Sequence, residues 1–126
     1  MAMALVLLSG CGNKDSGLPM PYRDLAVPEK TLASAQARAR GRKLFLANCA
    51  ICHGERADGN GIRSEGLDPR PADFTSSGWR SQATPRHTFY AIRNGVGGTA
   101  MPRWNTFSDG ETWDLVSYIL SVAQPN

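Results

Sequence analysis

The chain has 126 residues, of which 41% are hydrophobic, so it can form one globular domain around one core. Its formal net charge is +3, and its basic residues are scattered apart from one short cluster at residues 38–43. Because no long basic block is present, the composition gives no support to a nucleic-acid-binding function. The three cysteines are an odd number, so a disulfide framework would leave one thiol over.

Residues 2–8 form an apolar run that leads into Leu8-Ser9-Gly10-Cys11. The run is far too short to span a bilayer, which takes about 20 residues, but it has the length of a signal-peptide core. The tetrad resembles the bacterial lipobox, in which small residues precede a cysteine that is acylated and becomes the mature N-terminus. We therefore expect residues 1–10 to be a signal-like segment that is removed, and Cys11 to carry a lipid. The alternative is a disordered apolar start with an incidental cysteine, and the lack of Lys or Arg before the run counts against the lipobox.

Residues 11–32 are predicted to be a lipid-anchored flexible tether. Most of this stretch is polar, is interrupted by Gly and Pro, and lacks the apolar periodicity of a folded element. As flexible coil, about 20 residues would span on the order of 25 Å and let a folded head reach partners above a membrane. In the competing interpretation, the segment is ordered against a partner subunit through Tyr22, Leu25 and Val27.

Residues 33–126 are expected to form the folded domain, and its class is predicted to be all-α. Capping residues and apolar spacing predict helices over residues 34–48, 85–93 and 109–123, and no strand signal exceeds chance. Gly41 lies inside the first helix, where glycine costs up to about 1 kcal/mol relative to alanine. A close approach by another helix would compensate for that cost.

Cys49-Ala50-Ile51-Cys52-His53 follows the first predicted helix and is the c-type haem attachment motif. Each thiol adds across one haem vinyl group, two intervening residues match the vinyl separation, and the adjacent His donates a nitrogen to the iron. A zinc site would need a second ligand pair, but the only other Cys and His are Cys11 and His87. A thioredoxin-like pair would need a βαβ setting, which this pattern lacks. The motif therefore predicts one covalent haem c, and a long Gly- and Pro-rich loop follows that is expected to wrap around it.

Several ordered motifs over about residues 34–123 resemble a class I cytochrome c. The chain around the attachment motif looks like the start of that family, residues 114–119 look like its final helix, and residues 53–74 resemble bacterial small periplasmic cytochromes. In that family the N- and C-terminal helices cross. The positions that match the crossing are Gly41, Phe45, Leu115 and Tyr118. The resemblance implies a class I cytochrome c fold, with three or more helices around one covalent haem.

Met101 is the predicted sixth ligand of the iron. Thr99-Ala100-Met101-Pro102 resembles the loop that supplies this ligand in the family, and a core-filling Met would usually lie on a helix instead. A thioether favours ferrous iron and raises the reduction potential, and a filled sixth position denies access to oxygen. The other candidates are His87, Met20 and the N-terminal methionines.

The remaining site candidates depend on the family resemblance. The second N–H of the axial His is expected to donate to a proline carbonyl in the loop, and both Pro69 and Pro71 are candidates. Residues that could bond or pair with the haem propionates form a pool, which is Trp79, Arg80, Arg86, Arg103 and Trp104.

The predicted function is one-electron transfer by a membrane-tethered carrier rather than an enzyme. It would work at the periplasmic or extracytoplasmic face, between a respiratory or photosynthetic membrane complex and an acceptor, with no small-molecule substrate. Its partners would be the membrane, through the lipid, and redox proteins. In another form of this hypothesis, the chain is a fixed subunit of a larger complex. The single-haem lipoprotein subunit of alternative complex III is one arrangement that it could resemble. The rival class is an enzyme or gas-binding haem protein with an open sixth position, and the absence of a second CxxCH excludes a two-haem peroxidase within this chain.

Overall fold

The computed structural model describes residues 12–123 and confirms the all-α class within that range. Its helices are α1 (Glu29–Leu32), α2 (Ala35–Asn48), α3 (Ala50–His53), α4 (Ser77–Gln82), α5 (Pro85–Asn94) and α6 (Asp109–Val122), with a short 3-10 helix over Tyr22–Asp24. The signal-like segment and Cys11 lie outside the described residues. None of the helices in the described range has the length and apolar character that crossing a membrane requires.

The three helices predicted from the sequence, α2, α5 and α6, are confirmed to within one residue at each end. Each begins at a hydroxyl side chain that accepts a hydrogen bond from a backbone N–H of the first turn, and these residues are Ser34, Thr84 and Ser108. At α6 the Glu111 carboxylate also accepts the backbone N–H of Ser108, which completes a capping box. These bonds satisfy donors that a helix otherwise leaves unpaired, so the helix starts are determined locally.

Helices α2 and α6 cross at Gly41, in agreement with the sequence prediction. A Cβ at position 41 would overlap the backbone carbonyl of Asp114 and lie 2.9 Å from Cβ of Tyr118. The Asp114 carboxylate accepts two hydrogen bonds from the Arg40 guanidinium, at 2.8 and 3.1 Å. The buried ring of Phe45 packs 5.1 Å from that of Tyr118. This crossing fixes the end of α2, from which the attachment motif continues.

The segment for which the sequence predicts a flexible tether instead packs against the domain over its described part, residues 12–32. The Asp15 side chain, in a residue only 7% exposed, accepts hydrogen bonds from Thr84 and Arg86 of the α5 N-terminus. The ring of Tyr22 packs 4.8 Å from that of Tyr90. The polar composition of this segment therefore does not mean that it is flexible, because its polar side chains pair with residues far along the chain.

Candidate functional site

One side of the helical core opens into a cavity of about 990 Å³. This volume lies near the upper end of the range for small-molecule and cofactor sites. The walls come from the end of α2, α3, the long loop, α4, α5 and the loop before α6, with Lys14 of the N-terminal segment and Ile119 of α6. The sequence-predicted site residues on these walls are Cys49, Cys52, His53, Pro69, Pro71, Trp79, Met101 and Trp104.

The loop after α3 folds back and holds the turn that carries the two thiols. The backbone N–H of Gly61 donates to the Cys52 carbonyl at 3.0 Å, and that of Arg63 donates to the Ile51 carbonyl at 2.8 Å. A Cβ on Gly61 would overlap the Ile51 carbonyl, so only glycine permits this approach. The thiols therefore lie on a turn that is braced from both sides, by α2 and by the loop.

The imidazole of His53 is oriented by a backbone acceptor. Its Nδ1 lies 3.1 Å from the carbonyl oxygen of Ala72. Because a carbonyl can only accept, Nδ1 carries the proton and Nε2 keeps a lone pair for a metal. Burial lowers the pKa of His53, although its hydrogen bond to Ala72 opposes this shift. The ring is therefore neutral at neutral pH, which is the form that binds a metal.

The carbonyl of Ala72 accepts the hydrogen bond from Nδ1 of His53, so the expectation of a Pro69 or Pro71 carbonyl is corrected. A Cβ on Gly59 would lie 2.8 Å from the Pro71 carbonyl oxygen, which shows that this carbonyl faces Gly59. The next carbonyl along the chain then turns toward His53. Both prolines line the cavity, but their carbonyls do not bind the imidazole.

The two thiols lie in surroundings that do not suit the alternative chemistries. Burial, and to a smaller extent Cys52, raises the pKa of Cys49 to about 12. A redox-active cysteine pair needs a lowered thiol pKa instead. Over residues 12–123, no group of three or more His, Cys, Asp or Glu side chains converges where it could hold a metal ion. Neither a dithiol redox site nor a zinc site therefore finds support in the described part of the chain.

Met101 reaches the cavity from the loop between α5 and α6. At the start of that loop Gly95 has a φ of +70°, and a Cβ there would lie 2.8 Å from the Met101 carbonyl oxygen. Beyond Met101, the N–H of Trp104 donates to the Ile92 carbonyl at 2.9 Å. The loop is therefore held against α5 on both sides of Met101, whose half-buried side chain lines the cavity.

The other candidate sixth ligands are less suited. His87 lines the cavity, but its Nε2 lies 2.9 Å from the backbone carbonyl of Lys14, so that nitrogen carries a proton. Met20 is 57% exposed and does not line the cavity. The N-terminal methionines lie outside the described residues.

Arg80 and Arg86 are turned to other partners and do not line the cavity. Arg80 Nε donates to the carbonyl of Leu120 at 3.1 Å, near the C-terminal end of α6, where a cation is favourable. Arg86 pairs with Asp15. Arg80, which the sequence predicts at the site, therefore lies off the cavity wall, where a carbonyl near the helix end accepts from its guanidinium.

Three basic residues that the sequence argument missed do line the cavity, and these are Lys14, Arg63 and Arg70. They come from segments without periodic pattern, so only their positive charge could have drawn attention to them. Trp79 and Trp104 remain at the cavity as predicted, and the Trp79 ring packs edge-on at 4.6 Å from that of Phe74.

Comparison with known proteins assigns a family to most of the chain. Residues 36–119 match the family described as cytochrome c oxidase, cbb3-type, subunit III. Among solved structures, the chain is similar to a chain of the reducing HAO-like protein complex of Kuenenia stuttgartiensis, with 26% sequence identity and a TM-score of 0.62. The similarity covers 72% of this chain and 46% of that chain, so it spans less than half of the relative's length. No curated protein matches the chain.

Proposed function

Because the chain belongs to the cytochrome c family of cbb3-type oxidase subunit III, we propose that it is an electron carrier with covalent haem c, in which Cys49 and Cys52 bind the haem and His53 ligates its iron. The observation that carries the proposal is the neutral, oriented imidazole beside two thiols on the wall of one large cavity. When bound, the haem supplies an iron couple that accepts and returns one electron. The donor set and the cavity volume both fit such a group.

Met101 is the proposed second axial ligand. It is the methionine on the cavity wall among the described residues, and Pro102 biases it toward an extended backbone. Its loop is held against α5 on both sides, so the thioether is positioned before the haem is bound. Methionine ligation raises the reduction potential and closes the sixth position, which suits electron transfer.

The apolar walls of the cavity support the same function. Buried side chains of Phe45, Phe74 and Ile92 line it. Apolar side chains around a redox group raise the free-energy cost of an added charge and therefore tune its reduction potential. Phe74 also stacks on His53, with 4.6 Å between the ring centroids, which limits rotation of the imidazole.

The covalent link can be tested one thiol at a time. Denatured native protein should keep its haem in acidified organic solvent, and its alkaline pyridine spectrum should be typical of two saturated vinyl groups. Cys49→Ser should yield a spectrum typical of one saturated vinyl, whereas Cys11→Ser, a matched loss of a cysteine, should not change it. Haem that is extracted from the native protein would contradict the proposal.

Attachment to the extracytoplasmic face of a membrane is the second part of the proposal. The apolar run and the tetrad ending at Cys11 support lipidation there. Asp15, four residues later, is already packed on the domain, so an anchor at Cys11 would hold the domain within about 14 Å of the lipid. Such a short attachment favours electron exchange with partners that are fixed at the membrane. It therefore supports a role for this chain as a subunit of a respiratory complex. A relative of similar fold is part of a protein complex.

Mass spectrometry of the native N-terminus tests the anchor. A diacylated or triacylated Cys11 is the expected result, and the Cys11→Ser variant should be released from membranes in soluble form. A native chain that begins at Met1 with an unmodified Cys11 would remove the lipoprotein interpretation and leave the carrier function unaffected.

A further inference from the structure

The two propionate carboxylates of a bound haem would be stabilised by positively charged side chains, and few such side chains line the cavity. Two propionates that are partly withdrawn from water are stabilised by positive side chains. Within the described range, the Lys and Arg residues on the cavity wall are Lys14, Arg63 and Arg70. Over residues 12–123, no carboxylate lies within ion-pair distance of any of the three, so each is available to another anion.

Arg63 and Arg70 lie beside the attachment turn, which is the turn at residues 49–53 that carries the two thiols. The backbone N–H of Arg63 donates to the Ile51 carbonyl at 2.8 Å, and the Arg70 guanidinium donates to Asn60 at 3.1 Å within the same folded-back loop. Haem carries its vinyl groups on one half of the ring and its propionates on the other half. Thioether bonds to the Cys pair would place the vinyl half of the ring at this turn and the propionate half on the opposite side of the haem.

Lys14 lies on a different wall of the cavity, at the junction of α4 and α5. Its Nζ donates to the Ser81 carbonyl at the end of α4, and its own carbonyl accepts from Nε2 of His87 in α5 at 2.9 Å. An ammonium has three donors, and the bond to Ser81 uses one of them. Two donors therefore remain for an anion in the cavity.

The N-terminal segment holds Lys14 in this position. Immediately after it, Asp15 pairs with Arg86 at 3.1 Å, and Leu18 is only 4% exposed. Further along, the Leu25 carbonyl accepts from Arg86 Nε at 2.8 Å. The segment is thus fixed at several points by α5, which itself forms a wall of the cavity.

We propose, on the basis of the proposed haem site, that Lys14 is a haem-binding residue whose ammonium pairs with a propionate, so that the N-terminal segment forms part of the haem pocket. A cation at this position stabilises the reduced haem, which carries one more negative charge. The segment between the anchor and the domain then also tunes the potential.

The test is potentiometric and uses the full-length protein with its haem. Lys14→Gln should lower the midpoint potential relative to the wild type, whereas Lys43→Gln, the same substitution at an exposed site off the cavity, should not.

Equal potentials for Lys14→Gln and Lys43→Gln would overturn the inference. The outcomes separate this inference from the function it rests on. A native protein without covalent haem would refute both. A native protein with covalent haem and an unchanged potential in Lys14→Gln would refute only the role of Lys14.

Discussion

The carbonyl oxygen of Ala72 lies 3.1 Å from Nδ1 of His53, and this bond joins the attachment turn to a loop nineteen residues further along the chain. The loop therefore does more than cover the cavity, because it sets the tautomer and the orientation of the imidazole. A bond to the second ring nitrogen makes the ligating nitrogen more basic. In the proposed haem site, the position of the loop backbone at residues 71–72 would thus determine how strongly His53 binds iron.

Gly59 controls that position, which leads to the first prediction. Gly59→Ala places a Cβ 2.8 Å from the Pro71 carbonyl oxygen and adds the strain of a side chain at a φ of +82°. Gly66→Ala is the matched control, because its φ is +80° and no atom lies within 4 Å of its Cβ. We expect the control to lose about 1 kcal/mol of unfolding free energy from backbone strain, and Gly59→Ala to lose more.

Two measurements check this prediction. Denaturant unfolding compares the stabilities of the two variants, and potentiometry compares their midpoint potentials. Displacement of residues 71–72 should weaken the bond from His53 and raise the potential in Gly59→Ala alone, because a less basic imidazole stabilises ferric iron less. Identical behaviour of the two variants would show that the Pro71 carbonyl adapts without disturbing Ala72.

The crossing of α2 and α6 gives the second prediction. Gly41→Ala should destabilise the fold by about 1–3 kcal/mol, because its Cβ overlaps the Asp114 carbonyl and the helices must move apart. Gly110→Ala is the control within a helix, since its Cβ meets only Ser108 Oγ at 3.9 Å. Alanine is the better helix former, so this control should gain up to about 1 kcal/mol. Chemical denaturation of both variants would measure the contrast, and equal stability of Gly41→Ala and the wild type would place the crossing elsewhere.

The N-terminal segment gives the third prediction, which concerns pH. Burial raises the pKa of Asp15, but the hydrogen bonds from Thr84 and Arg86 outweigh it, so the pKa lies below its usual 3.8. A carboxyl with a lowered folded pKa stabilises the protein above its unfolded pKa and loses that contribution as the pH falls through the folded value. Asp15→Asn should therefore cost about 2 kcal/mol of unfolding free energy at neutral pH.

The difference between Asp15→Asn and the wild type should shrink as the pH falls below 3.8 and through the lowered pKa, because a protonated carboxyl resembles the amide. Denaturant titrations at several pH values would measure this difference in unfolding free energy. Asp24→Asn is the control, since this carboxylate is exposed and pairs with no side chain among residues 12–123, and the variant should be as stable as the wild type at each pH. A pH-independent loss in Asp15→Asn would mean that packing, and not charge, holds the segment.

The parts of the structure that the sequence predicts well are those with local causes. Helix α5 begins at Pro85 because Thr84 caps it, and both residues are adjacent in the chain. The crossing at Gly41 is also predictable, because a glycine inside a helix requires a reason and the family resemblance supplies the partner helix. The attachment motif is likewise contiguous, so its spacing alone indicates its chemistry.

The parts that escape prediction depend on long-range pairing or on backbone atoms. Asp15 pairs with Arg86, which lies 71 residues away, so a polar segment that resembles a coil becomes part of the domain. The acceptor for His53 is a backbone carbonyl, which every residue has, so the sequence does not distinguish Ala72 from its neighbours. The sequence suggests that Arg80 is a cation of the cavity, but its guanidinium instead donates to a backbone carbonyl near the end of α6, which the sequence does not reveal.

The last prediction concerns Met101, because the choice between a carrier and a catalyst depends on it. Met101→Ala should abolish the weak sulfur-to-iron charge-transfer band of the oxidised protein and lower the midpoint potential, since the ligand that favours ferrous iron is gone. The haem should remain attached through the untouched thiols, and the opened site should bind carbon monoxide. Met20→Ala is the matched control, because Met20 is 57% exposed and does not line the cavity. Absorption spectra and potentiometry of the two variants would decide the matter. If Met101→Ala keeps both the band and the potential, another residue ligates the iron, and His87 would have to give up its bond to the Lys14 carbonyl to do so through Nε2.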